Sequence, residues 1–103
     1  MNDKDFGLRL SKLRTDKGIS ARDMSLSIGQ NPGYINSIET GKSLPSMSVF
    51  FYICEYLGIS PKDFFDIDNI DPVRMATLMD DIKKLDYKQL QALSVIVKGI
   101  ISH

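Results

Sequence analysis

The side chains able to do covalent or metal chemistry are few. Cys54 is the single cysteine and His103 the single histidine among 103 residues. A Cys/His dyad needs both groups held in one pocket, and a histidine at the last position of a chain is expected to fray. A zinc site wants about four ligands, mostly Cys and His, which these two cannot supply. Cys54 lies in an apolar stretch and is expected to pack as a small core hydrophobe. The acids Asp63, Asp66, Asp68 and Asp71 lack the glycine at the sharp turn and the distal bidentate Glu of a calcium loop. They read as loop and cap residues. No catalytic residue, metal or cofactor is expected, which leaves binding and interaction functions.

Composition narrows the class further. With 43% apolar and 25% charged residues, the chain reads as one globular domain with room for an appended helical arm. One cysteine permits no internal disulfide and points to a reduced, cytoplasmic setting. The start MNDKDFG lacks the basic-then-apolar layout of a signal peptide. No apolar run reaches the ~18–20 residues of a membrane span, so no membrane partner is expected. Thirteen basic and thirteen acidic side chains cancel. Charge alone therefore does not point to a nucleic acid, and a motif must.

The elements that would position a binding surface read as short helices. Phe6, Leu10 and Leu13 mark the buried face of a first helix, with Arg9, Lys12 and Asp16 on its other face and Gly18 at its end. Ser20 caps a second helix, with Asp23 as a loose capping box, Met24 and Ile28 buried, Leu26 more exposed, and Gly29 as the stop. Asn31 suits an N-cap and Pro32 a first helical position. The third helix is therefore expected over about 32–40, with Ile35 and Ile38 inward and Gly41 closing it. Ser46 opens a fourth helix whose buried stripe is Val49, Phe50, Ile53, Cys54 and Leu57. Ser60-Pro61 opens a short fifth through Phe64 and Phe65. Residues 66–71 read as a linker. Asp71-Pro72 starts a helix with Met75, Leu78, Ile82 and Leu85 at 3-4-3 spacing. Asp86 with Gln89 starts another, with Leu90, Leu93, Val97 and Ile100 at the same spacing. No segment alternates with period two between hairpin turns, so no sheet is expected.

Residues 19–45 carry the functional signal. Two short helices joined by a three-to-four-residue turn containing Gly29 make a helix-turn-helix layout, in which the second helix can enter a major groove. The spelling is more specific: Ile19, Ser20, Ser25, Ile28-Gly29, Tyr34-Ile35, Ile38-Glu39, Gly41-Lys42 and Pro45. With Leu10-Ser-Lys-Leu13-Arg14 upstream and Ile53-Cys-Glu-Tyr-Leu57-Gly58-Ile59-Ser60-Pro61 downstream, this closely resembles the Cro/lambda-repressor-type (XRE) helix-turn-helix family. The resemblance covers about residues 6–66. It implies an all-α, five-helix lambda-repressor-like domain over 6–66, with the motif at about 20–40. It also implies an ion pair between Arg14 and Glu39, because Glu39 stands near a helix C-terminus where an anion needs compensation.

Resemblance and geometry together place the DNA contacts. Ser20, Ala21, Arg22, Asn31, Tyr34, Lys42 and Ser43 are candidates for phosphate or sugar. Pro32, Gly33, Asn36, Ser37 and Thr40 form the outward face of the third helix, where base contacts arise. On that face only Asn36 can make a bidentate base contact. Residues 1–60 hold seven bases against six acids, so long-range attraction to DNA is weak.

The segment 71–102 lies outside the resemblance and reads as a helical hairpin with more apolar surface than one hairpin can hide. Met75, Leu78, Met79, Ile82, Leu90, Leu93, Ile96, Val97 and Ile100 are its candidate dimerisation residues. The expected function is a sequence-specific transcriptional regulator, a repressor that binds an inverted-repeat operator in double-stranded DNA as a homodimer. The alternative is an antitoxin-like interaction module on the same fold, with a protein partner on the C-terminal hairpin.

Overall fold

Short polar side chains ahead of apolar runs start most of the helices in the computed structural model, which describes residues 1–68 and 71–102. Helix α1 (Asp3–Lys17) begins at a reciprocal capping box between Asn2 and Asp5 and ends at Gly18, whose φ of 77° is left-handed. Ser20 accepts the Asp23 N–H and opens α2 (Ala21–Ser27). After α3 (Tyr34–Glu39), Ser46 and Ser60 cap α4 (Met47–Leu57) and α5 (Pro61–Phe65) in the same way. Asp71 accepts the Arg74 N–H at the start of α6 (Pro72–Ile82). Asp86 and Gln89 form a second reciprocal box ahead of α7 (Tyr87–Ile101). Among the described residues the fold is all-α, with no strand.

The third helix is shorter than expected. Its N-cap is Gly33, and no side chain of the preceding turn caps it. Asn31 instead bends the chain locally: its Oδ1 accepts the Gly33 N–H at 3.1 Å and its carbonyl the Tyr34 N–H at 3.1 Å. An Asn that bonds its own backbone two residues on makes an Asx turn, and this displaces the helical start past Pro32.

The body of the molecule is built from α1 to α5. Leu10, Leu13, Met24, Ile35, Ile38, Ile53, Leu57 and Phe64 have no exposed surface. Phe6, Phe50 and Phe64 pack ring on ring, with Phe64 4.9 Å from Phe6 and edge-on to Phe50 at 5.1 Å. Val49, expected in the buried stripe of α4, is half-buried at its edge, and so is Ile28 at the end of α2. Leu26 is exposed, as its place off the stripe implied.

Two residues of α1 behave differently from their sequence reading. Arg9 is not on a solvent face: it is 7% exposed. Its Nε donates to the Phe64 carbonyl at 2.6 Å, and Nη2 to those of Asp63 and Asp66 at 2.9 Å each. These carbonyls end α5, where intrahelical donors run out, so the guanidinium acts as a cap from another helix. Gly7 is buried where α1 crosses the end of α3. A Cβ there would meet the Ile38 carbonyl oxygen, with the Glu39 oxygen 2.7 Å away. A bare α-carbon is what lets the two backbones approach.

Beyond the body, α6 and α7 form an arm. Pro72 is buried and Val73 packs on the core. From there the arm stands out: the molecule measures 49 × 26 × 22 Å with a radius of gyration of 16.7 Å, against about 13 Å for a compact chain of this length. No residue of α7 is buried. The two apolar stripes of the tail are not hidden against each other. Met75, Leu78, Met79, Leu90, Val97 and Ile100 are all exposed, and only Ile82, Leu85 and Leu93 of the two stripes reach half-burial.

Candidate nucleic-acid interface

Helices α2 and α3 are held to each other and to α1 by two polar contacts and by the turn between them. The first is Ser25, which has no exposed surface. Its Oγ donates to the Ala21 carbonyl at 2.7 Å and accepts the Ile35 N–H at 3.0 Å. The first turn of any helix leaves N–H groups without intrahelical partners. Since Gly33 offers α3 no side-chain cap, the hydroxyl of α2 supplies one. In the turn itself, Gly29 holds a φ of 77° that suits only a residue without Cβ.

The other polar contact is between Arg14 and Glu39. Arg14 Nε lies 2.7 Å from Glu39 Oε2 and Nη2 2.9 Å from Oε1, a two-pronged pair with side-chain exposures of 18% and 10%. Nη1 donates to the Ile19 carbonyl at 2.7 Å. The hydrogen bonds to Glu39 raise the pKa of the guanidinium, so it stays charged. One side chain of α1 therefore holds the C-terminal end of α3 and the residue just before the cap of α2.

These locks present a continuous outer surface. Pro32, Gly33, Asn36 and Thr40 are exposed along α3 and its entry. Among the described residues the Asn36 side chain has no hydrogen-bond partner, whereas Thr40 Oγ1 is turned back to the Asn36 carbonyl at 2.9 Å. Ser37 is half-buried, and its hydroxyl lies 3.0 Å from that of Ser43, which ties the loop after α3 to the helix. Arg22 and Lys42 are exposed at the two flanks, near the start of α2 and just after α3. Ser20 is exposed and uses its hydroxyl as a cap, while Ala21 packs on the core. Asp23 stands in the first turn of α2 and sets a negative charge beside the helix start. Asn31 is exposed and held by its turn. Tyr34 is half-buried, and desolvation raises its pKa, leaving the phenol a donor.

Cys54 is 2% exposed, and burial pushes its thiol up to about 11, so it is protonated and inert at neutral pH. His103 lies outside the described residues, as do positions 69 and 70 of the expected linker. Among the described residues no acid, thiol or imidazole cluster could hold a metal ion, and no helix is long and apolar enough to cross a membrane.

Sequence reasoning missed Gly7, the burial of Arg9 and the cross-helix cap made by Ser25. A glycine inside a helical apolar pattern was the available signal for the first. For Arg9 the signal was its spacing, three residues after Phe6 and four before Leu13, which puts it on the apolar side of α1; its partners, 54 to 57 residues away, left no local trace.

Comparison with known proteins places this architecture. The curated multiprotein-bridging factor 1 of Saccharomyces cerevisiae is 30% identical over 57 residues, which is 55% of this chain and 38% of that protein. The Candida glabrata protein of the same name matches to the same extent. The chain thus spans well under half the length of these relatives. Among solved structures, the clp gene regulator ClgR of C. glutamicum superposes with a TM-score of 0.57 at 29% identity, covering 60% of this chain and 80% of that one. A second ClgR structure, from Corynebacterium glutamicum, gives 0.59 at 24% identity over 80% of this chain and 86% of that one, a likeness of fold. A family model described as a helix-turn-helix domain matches residues 7–69, the stretch from the α1–α3 crossing to the linker, and the chain belongs to that helix-turn-helix family.

Proposed function

We propose that this protein is a sequence-specific DNA-binding transcriptional regulator, a repressor that acts as a homodimer on an inverted repeat. The observation that carries the reading is the outer face of α3: a helix held by Ser25 at its start and Arg14 at its end, with an exposed Asn36 side chain that has no hydrogen-bond partner among the described residues, and with the exposed cations Arg22 and Lys42 near the start of α2 and just after α3. Arg22 and Lys42 hold phosphates and set register, assisted by Ser20, Ala21, Asn31, Tyr34 and Ser43. Asn36 reads a base edge in the major groove, Pro32 and Gly33 allow close approach, and Ser37 and Thr40 line the same face. With so few reading side chains, groove shape and bridging water contribute to specificity. The likeness to a protein titled a clp gene regulator supports a regulatory role.

Two-fold pairing suits the weak single site. The apolar stripe of α6 and α7, with exposed Met75, Leu78, Met79, Leu90, Ile96, Val97 and Ile100 and half-buried Ile82 and Leu93, joins two copies. Pairing sets two recognition helices ~34–36 Å apart, one turn of DNA, and the second half-site then binds at high effective concentration.

Selection from a random DNA pool, followed by anisotropy titrations in salt, tests the reading. Lys42→Ala and Arg22→Ala are expected to weaken all sequences alike and each lower the salt slope by ~1. Asn36→Ala is expected to alter the preferred site, at ~1–3 kcal/mol for one base pair. Unchanged slopes and an unchanged site would contradict it.

A second reading is favoured by the arm. Its exposed apolar surface, and relatives whose name speaks of bridging several proteins, suit an antitoxin-like module whose arm binds a different protein. A chain that aggregates alone and dissolves only with a co-expressed partner would favour it.

A further inference from the structure

The arm is not tethered to the body by chance contacts; its exit is held on both sides of the connecting segment. On the near side, the Arg9 guanidinium takes the carbonyls of Asp63, Phe64 and Asp66 within 2.9 Å. A planar fork with fixed donor directions orients the backbone it binds. On the far side, Pro72 is buried and Val73 packs on the core. The Asp71 side chain accepts the Arg74 N–H, and Pro72 stands in the first turn, so α6 starts at the docked point itself. From there α6 runs unbroken to Ile82, a rod of ~16 Å at 1.5 Å per residue.

We infer that Arg9, with Pro72 and Val73, fixes the direction in which the arm leaves the helix-turn-helix domain, so that the dimer accepts one half-site spacing. The inference rests on the dimeric DNA-binding reading above. A flexible tether would let two domains reach inverted repeats of many spacings, with effective concentration falling only slowly as the gap grows. A lever rooted at both ends of the connecting segment gives each recognition helix one place relative to the two-fold axis, and a spacer of the wrong length leaves one domain unbound. Arg9 is a positioning residue here. It lies on the α1 face that meets α5 and acts through the backbone of residues 63–66.

The test uses the full chain, Arg9→Lys, which keeps the charge and loses the fork, and Val73→Ala, which loosens the far side and leaves Arg9 in place. Anisotropy measures affinity for a single half-site and for inverted repeats with the spacer lengthened stepwise. Spin labels at Ser48→Cys on α4 and Asp80→Cys on α6, both exposed, in heterodimers with unlabelled chain, report the body-to-arm distance; Cys54 is buried and protonated. The parent is expected to show a narrow distance distribution and one preferred spacer. The variants should broaden the distribution and lose the preference, with half-site affinity unchanged. A residue that only stabilised the body would weaken half-site and full-site binding together. Equal affinity of the parent for all spacers, or variants with the parent's preference and width, would overturn the inference. A narrow distance in a parent that binds no repeat would overturn it through the DNA reading, whereas a broad distance in a parent that does bind would overturn the clamp alone.

Discussion

The body and the arm are both helical, both well capped and both apolar on one side, yet they treat that side in opposite ways. In α1, α3 and α4 the apolar stripe is removed from water: Leu10, Leu13, Ile35, Ile38, Ile53 and Leu57 have no exposed surface. In α7 the stripe of the same periodicity stays in water, with Val97 42% and Ile100 69% exposed. Full burial of such a side chain is worth ~1.5–3 kcal/mol. The body gains this within one chain. The arm forgoes it unless something outside the chain covers the stripe, and an uncovered patch of this kind on a monomer marks an interface. Periodicity therefore predicts the face of a helix but not whose surface meets it.

The largest expected effect falls on the body. Gly7→Ala puts a methyl against the carbonyl oxygens of Ile38 and Glu39, and backbone cannot give way as a flexible side chain can. The loss is expected at or above the ~3 kcal/mol upper end for overpacking, read as a fall in the urea midpoint. The same change at Gly99 in the arm meets nothing within 4 Å and is expected to be neutral or slightly stabilising.

Arg14→Met comes next. It strands Glu39, 10% exposed, at the end of α3 where the dipole disfavours an anion. Breaking a fully buried pair costs ~3–5 kcal/mol, and this partly buried one less. Adding Glu39→Leu should recover much of the loss, and additive effects in chemical denaturation would mean the two residues do not interact. Ser25→Ala is smaller. It leaves the Ile35 N–H without its acceptor, at ~1–3 kcal/mol, and fluorescence-detected unfolding measures it. In the arm, Val95→Ser, at a position 71% exposed, should leave the unfolding midpoint of the body unchanged and weaken only self-association.

Much of this fold was legible because its signals are local. A serine or aspartate three residues ahead of a free N–H caps a helix wherever it stands, as Ser20, Ser46, Ser60, Asp71 and Asp86 do. Gly18 and Gly58 end α1 and α4 by left-handed turns. The helix-turn-helix layout and the face of α3 follow from these ends plus spacing. What escaped depends on distant partners. Arg9, three residues after Phe6 and four before Leu13, stands at the edge of the apolar stripe, and only the fold brings it to the end of α5. Asn31 had two local options, and the Asx turn outcompeted the cap. The bare stripe of α7 looks like any buried stripe until the rest of the chain is seen not to reach it.

The sharpest test of the contrast between body and arm is the molar mass in solution, by light scattering at micromolar concentration, of the full chain and of a chain ended at Asp68. The account predicts a dimer for the first and a folded monomer for the second, with the helical circular dichroism of α1 to α5 kept. A monomeric full chain would contradict it, and a dimeric shortened chain would move the interface out of the arm and into the body.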